Sequence, residues 1–284
     1  MSDALNLPIA VADGGTLAAR YWPSADAKAT VLIVHGLGEH QGRHDAVVAR
    51  LRAWGFAAAT YDQRGHGRSS GKRGDIPQPD ALLRDLAAVI DAVRAASPVR
   101  PFLLLGHSMG GLVAARFVGG ALQTPRPTWS RPVDALVLSS PALDAGLKPV
   151  QKLLVGVMGR LAPHIAAGNG LKPQWISRDA AVVAAYRADP LVHDRITATL
   201  AGFIGTGIEE AQALAPRWHT PTLLMWAGAD RCVAPAGSAR FAKAAPAGVV
   251  TAREFPGLYH ELFNEPEKDQ VFSVLREWVA KRFG

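Results

Sequence analysis

Short runs rich in branched apolar residues alternate along the chain with longer stretches in which apolar residues recur every three or four positions, a pattern that predicts strands followed by helices. Expected strands cover residues 7–11, 16–21, 29–34, 57–61, 101–105, 135–138, 222–226 and 249–255. The first two are separated by Asp13-Gly14-Gly15, whose glycines suit an antiparallel hairpin turn. Helical spacing covers 44–54, 80–95, 108–120, 236–244 and 267–283. Such alternation is the mark of an α/β protein with a mostly parallel central sheet flanked by helices.

One connection breaks the rhythm. Residues 143–215 are far too many for the usual crossover between neighbouring strands, so they are expected to form a helical cap inserted into a core of residues 1–142 and 216–284. Val150, Leu153, Leu154, Val157, Met158 and Leu161 fall on one helical face. That face either packs on the core or roofs a site for an acyl chain. A transient membrane-surface contact is a third reading, weakened by Lys152 and Arg160 within the segment. No linker or repeat divides the chain further.

Composition narrows the class. A chain of 284 residues that is 49% hydrophobic can bury a sizeable core. Residues 1–15 carry Asp3 and Asp13 and lack the basic and apolar regions of a secretory signal, and no run approaches the roughly 18 apolar residues of a spanning helix. The single Cys232 excludes an intramolecular disulfide, which fits a cytoplasmic setting. A net charge of +7 would permit nucleic-acid binding, but only Arg64, Arg68, Lys72 and Arg73 cluster, and no aromatics lie among them to stack on bases. A solvated basic surface is expected instead, with no nucleic-acid partner.

The chemistry is concentrated at strand ends. Gly106-His107-Ser108-Met109-Gly110 lies between an expected strand and an expected helix, the setting of a nucleophile elbow with Ser108 as the attacking oxygen. At the start of that helix the Met109 N–H can stabilise developing negative charge. His35-Gly36-Leu37-Gly38 follows another strand and offers the Leu37 N–H as the second oxyanion donor. A serine needs a base, and the base a carboxylate, in the chain order Ser, acid, His. Asp230 follows strand 222–226, and of the nine histidines only His260 comes after that acid. Asp62 is the competing acid; its place in Asp62-Gln63-Arg64-Gly65-His66-Gly67 reads as structural. This chemistry requires neither cofactor nor metal.

These segments, with Tyr259-His260-Glu261 and the stretch Ile176-Ser177-Arg178-Asp179, Tyr186 and Asp189-Pro190-Leu191, resemble the monoacylglycerol lipase family of serine hydrolases over nearly the whole chain. The resemblance implies an α/β-hydrolase fold and cleavage of a small-molecule lipid ester, a monoacylglycerol, to fatty acid and glycerol. It also implies a glycerol pocket lined by Glu39, Arg43, His107 and Tyr186. Broad carboxylesterase, lysophospholipase or aminopeptidase activity remains open, with Glu209-Glu210 as a candidate for binding a peptide amine, as does a ligand-binding receptor on the same fold. Cys232 is either a thiol open to reagents or a packed cysteine. Acyl length, regioselectivity and oligomeric state are not set by these residues.

Overall fold

In the computed structural model, which describes residues 4–97, 99, 101–146 and 156–284, the apolar runs of the sequence become strands of one large sheet and one small ribbon. The strands among the described residues are β1 (Leu5–Ala10), β2 (Thr16–Trp22), β3 (Thr30–Val34), β4 (Ala57–Tyr61), β5 (Phe102–His107), β6 (Ala135–Ser139), β7 (Ala166–Gly168), β8 (Arg195–Thr197), β9 (Thr222–Ala227) and β10 (Val250–Phe255). Helices are α1 (Asp45–Ala53), α2 (Ala81–Ala96), α3 (Met109–Gly119), α4 (Ala180–Ala188), α5 (Ala198–Leu214), α6 (Pro235–Ala244) and α7 (Lys268–Phe283). The large sheet runs in the order β1-β2-β4-β3-β5-β6-β9-β10. β1 and β2 pair antiparallel, as does β2 with β4; every other pairing in it is parallel.

The two-residue period of a strand assigns its side chains to opposite faces. Val31, Ile33, Leu103, Leu105, Val137, Leu223 and Met225 pack with α1 and α7 on one face. Leu32, Val34, Leu104, Leu136, Leu138 and Leu224 pack with α2, α3, α5 and α6 on the other. Both faces are thus covered, which is why the central strands read as continuous apolar runs with no polar alternation. Every residue of β3, β5, β6 and β9 is buried.

Strand order also creates the crevice. From β3 the chain moves to β4 on one side and then returns to β5 on the other, so the loops leaving the carboxyl ends of β3 and β5 diverge and leave a cleft between them. Val34 is in register with Gly106, which sets the segment after β3 beside the turn after β5.

The segment between β6 and β9 departs from the expected all-helical insertion. It contains α4 and α5, but also the antiparallel ribbon β7–β8, with Ala166 opposite Thr197. Strands of three residues, Ala-Ala-Gly and Arg-Ile-Thr, are too short to leave a periodic signature. Of the expected apolar face, Val150, Leu153 and Leu154, with Lys152, lie outside the described residues. Val157 and Leu161 are exposed, not packed, Leu161 at 78%. A second departure concerns the basic cluster. Arg64 is no surface charge: its buried guanidinium is held by Asp85 at 2.9 and 2.8 Å and by Asp13 at 2.6 Å. Glu210, a candidate for binding a peptide amine, accepts two hydrogen bonds from Arg116. No helix among the described residues is long and apolar enough to cross a membrane.

The approach of α3 to β3 leaves no room for a side chain. A Cβ on Gly110 would lie 2.2 Å from the Val34 carbonyl oxygen and 2.3 Å from that of His35. Gly110→Ala is therefore expected to lower the urea unfolding midpoint by the equivalent of about 1–3 kcal/mol. Gly257→Ala, where a Cβ meets nothing within 4 Å, is expected to leave the midpoint near wild type. Equal midpoints for both variants would contradict the close approach.

Candidate active site

Ser108 follows β5 directly and makes the turn into α3 with φ 53° and ψ −122°. A side-chain-bearing residue in that region costs about 1–3 kcal/mol, so the surroundings must fix it. They do so through the Ser108 N–H, which donates to Ser139 O at 3.1 Å, and the Ser108 carbonyl, which accepts from Leu112 N–H at 3.1 Å and Ala142 N–H at 2.9 Å. The side chain is carried to the carboxyl edge of the sheet, on the wall of a cavity of about 410 Å³.

His260 and Asp230 reach the same edge from β10 and β9. Nδ1 of His260 lies 2.7 Å from Asp230 Oδ2. The other oxygen of Asp230 accepts from the N–H groups of Cys232 at 2.8 Å and Val233 at 3.1 Å. A carboxylate so held only accepts, so the imidazole proton sits on Nδ1 and Nε2 is left as the basic nitrogen. His260 and Ser108 line one cavity. Burial alone would push His260 down, but the Asp230 carboxylate, followed by Glu261 and Glu39, outweighs it and holds the imidazole above its ordinary value.

The segment after β3 is fixed through His35. A carbonyl accepts only, so the 2.7 Å contact between His35 Nδ1 and Gly36 O places the proton on Nδ1. Nε2 then accepts from Gln63 N–H at 2.8 Å. Burial drives His35 down, which keeps the ring neutral and able to fill both roles. Because a peptide unit is planar, anchoring Gly36 O also fixes the direction of the Leu37 N–H. Gly38 adopts φ +77°, and a Cβ there would meet His193 O at 2.3 Å; the His193 N–H in turn donates to Gly38 O at 2.9 Å. Neither the Leu37 nor the Met109 N–H has a hydrogen-bond acceptor among the described residues.

Of the residues expected around a glycerol, Glu39, His107 and Tyr186 stand on the cavity wall. Arg43 does not: it lies behind them, its guanidinium 4.6 Å from the Tyr186 ring centre, with Nη2 at 2.7 and 2.6 Å from the two oxygens of Glu261 and Nε 3.3 Å from Glu39. Glu39 also accepts from Gly36 N–H at 2.5 Å. Burial would raise this carboxyl, but His44, His107 and Arg43 hold it well below the usual range. His107 donates from Nδ1 to Ser139 O at 3.1 Å, and burial pushes it down to about 3, so it stays neutral beside His260. Asp62, the rival acid, is spent on Gln41 and Arg68 N–H groups at 2.8 and 2.9 Å.

A second cavity of about 380 Å³ opens from the same serine. Met109, Ala142, Met158, Ile165, Ile196, Ala201, Ile204 and Val233 give it apolar walls. Ser108, Leu37, Asn169, Leu171 and Cys232 belong to both cavities. Ligand-type atoms of Asp230, Cys232 and His260 lie within 4.8 Å of one another. Burial, then Asp230 and Glu261, push the Cys232 thiol up, so it stays protonated and favours neither metal binding nor nucleophilic attack. Sequence reasoning gave no separate role to His35, Asn169 or Glu261; the last stands directly after His260.

Comparison with known proteins agrees with this geometry. Residues 25–267 match the family model described as serine aminopeptidase, S33. The chain is 36% identical to the monoacylglycerol lipase of Mycolicibacterium smegmatis, covering 91% of this chain and 90% of the relative. It is 30% identical to the monoglyceride lipase of Rattus norvegicus, covering 95% and 89%. The crystal structure of Paleococcus ferrophilus monoacylglycerol lipase superposes with a TM-score of 0.83 at 32% identity, over 93% of this chain and 98% of that one. The chain belongs to the monoacylglycerol lipase family of α/β-hydrolase-fold serine hydrolases.

Proposed function

We propose that the protein hydrolyses monoacylglycerols to fatty acid and glycerol through an acyl-enzyme on Ser108. The observation that carries this reading is the position of Ser108 at the meeting of a polar and an apolar cavity. A molecule with a short polar head and one hydrocarbon tail, joined by an ester, fits that division, with the ester carbonyl at the serine. Related enzymes bearing the names monoacylglycerol lipase and monoglyceride lipase support the same substrate class.

In this mechanism His260 Nε2 takes the Ser108 proton as the oxygen attacks the ester carbonyl, while Asp230 holds Nδ1–H and steadies the imidazolium. The carbonyl oxygen gains charge between the Leu37 and Met109 N–H groups. The carbon–oxygen bond to glycerol then breaks, and His260 returns the proton to the leaving alkoxide. Water enters, gives its proton to His260, attacks the acyl carbon, and releases the fatty acid with Ser108 restored. Glu39, His107 and Tyr186 face the glycerol, offering acceptors and a phenol to its hydroxyls.

Residues 143–215 act in this reading as a cap on a core of residues 1–142 and 216–284. Support comes from Met158, Ile165, Asn169, Leu171 and Tyr186, which supply walls to the two cavities. Exposed Leu161 and Ile165, at 78% and 65%, give the cap an apolar contact for lipid aggregates. The single cysteine suits a reducing compartment, and we assign the activity to the cytoplasm. An aminopeptidase reading lacks its anchor, because Glu210 is engaged by Arg116 and is no part of the cavity wall.

Four outcomes test the proposal. Ser108→Ala is expected to lower monoacylglycerol hydrolysis on the order of 10⁴-fold or more while the far-UV spectrum is unchanged; retained turnover contradicts it. The neutral His260 is the working base and its value is raised, so kcat/KM is expected to climb with pH to a midpoint above 6.5. Asp230→Asn leaves burial dominant, so this midpoint is expected to fall while kcat drops on the order of 10⁴-fold; an unmoved profile argues against the pair. Given monoacylglycerols and aminoacyl amides side by side, the enzyme is expected to turn over only the former; preferential amide cleavage would favour the peptidase.

A further inference from the structure

Glu39 and Glu261 come from opposite sides of the cleft, one five residues after the end of β3 and next to Gly38, the other directly after the base His260. Both are buried, and Arg43, its side chain 9% exposed, lies between them. Hydrogen bonds and one ion pair link them in a continuous chain. Gly36 N–H donates to Glu39 Oε1 at 2.5 Å, Glu39 Oε2 lies 3.3 Å from Arg43 Nε, and Arg43 Nη2 donates to both oxygens of Glu261. Glu261 Oε2 takes a further bond from Asn264 Nδ2 at 2.8 Å, and Glu261 N–H donates to Ile176 O at 2.8 Å. Glu261 is thereby fixed by both its carboxylate and its backbone.

A planar guanidinium is the side chain suited to such a bridge, since its fork engages two acids in set directions, which a lysine point charge does not. The Tyr186 ring against its face excludes water from the ion pair. Arg43 is absent from the wall of the polar cavity; its guanidinium is hydrogen-bonded to Glu261 and ion-paired with Glu39.

We propose that Glu261 is a positioning residue: through Arg43 and Glu39 it locks the loop carrying His260 to the loop carrying the Leu37 N–H, so that base and oxyanion donor hold one spacing about Ser108. This rests on the assignment of Ser108, His260 and Leu37 made above, but not on the identity of the leaving group. A misplaced donor or base weakens every ester reaction alike, whereas a lost glycerol contact weakens only glycerol esters. As a secondary consequence, the Glu261 carboxylate helps hold His260 up.

Steady-state kinetics of Glu261→Gln on a monoacylglycerol and on a p-nitrophenyl ester of the same acyl chain separate these cases. The expected result is a fall in kcat on the order of 10–100-fold on both esters, with KM for the monoacylglycerol within about twofold of wild type. The acid limb of the pH profile is expected to move to lower pH. Arg43→Lys is expected to give the same loss of kcat, which keeps the test intact should Glu261→Gln fold poorly. The double variant is expected to be no worse than the poorer single one, because both break the same chain. A rise in KM confined to the monoacylglycerol, unchanged kinetics, or additive losses would each overturn the proposal. If wild-type enzyme cleaves the p-nitrophenyl ester and not the monoacylglycerol, the substrate assignment fails while the comparison on the simple ester still decides the role of Glu261.

Discussion

The arrangement depends on how closely α3 can approach the end of β3. With hydrogen in place of a side chain at Gly110, the helix begins against the carbonyls of Val34 and His35, and two segments distant in sequence reach one side of Ser108. One supplies the Leu37 N–H, the other the Met109 N–H. Strand order does the rest, because β3 and β5 are parallel neighbours at the point where the chain changes direction across the sheet. The strained backbone of Ser108 is a consequence: its φ of 53° is held by bonds to Ser139, Leu112 and Ala142, all in buried surroundings.

Charge at the site is sorted by environment. Burial pushes His35, His66, His107 and His193 down, with His107 at about 3 and His193 at about 4. These rings remain neutral, and their Nδ1 or Nε2 atoms serve backbone groups in the cases of His35 and His107. His260 is equally buried, yet Asp230 turns its shift upward. A proton arriving at the cleft is therefore drawn to one imidazole among several, 4.8 Å from the neutral ring of His107. Acids follow the same rule: Glu39 stays charged because His44, His107 and Arg43 face it, not because water does.

Much of this could be read from the chain before any coordinates. The central strands were legible because full burial on both faces demands unbroken apolar runs, and the elbow because its glycines are dictated by backbone contact. Order along the chain pointed to Asp230 over Asp62 and to His260 over eight other histidines, and these two side chains lie 2.7 Å apart. What escaped was local and cooperative. The ribbon β7–β8 has three-residue strands with no period to detect. Arg64 looked like surface charge because its partners, Asp13 and Asp85, are 51 and 21 residues away. Arg43 seemed to face the substrate because nothing in the sequence announced that Glu261, 218 residues on, would claim its guanidinium.

The account stands on the transfer of an acyl group to the serine between the two cavities. Acid quenching of a monoacylglycerol reaction in its first turnovers, followed by peptide mass mapping, reads that event directly. The account predicts a mass increase equal to the acyl group on the peptide containing Ser108, decaying at the rate of fatty-acid release. Hydrolysis proceeding with no acylated peptide, or with the acyl group on the peptide containing Cys232, would contradict it.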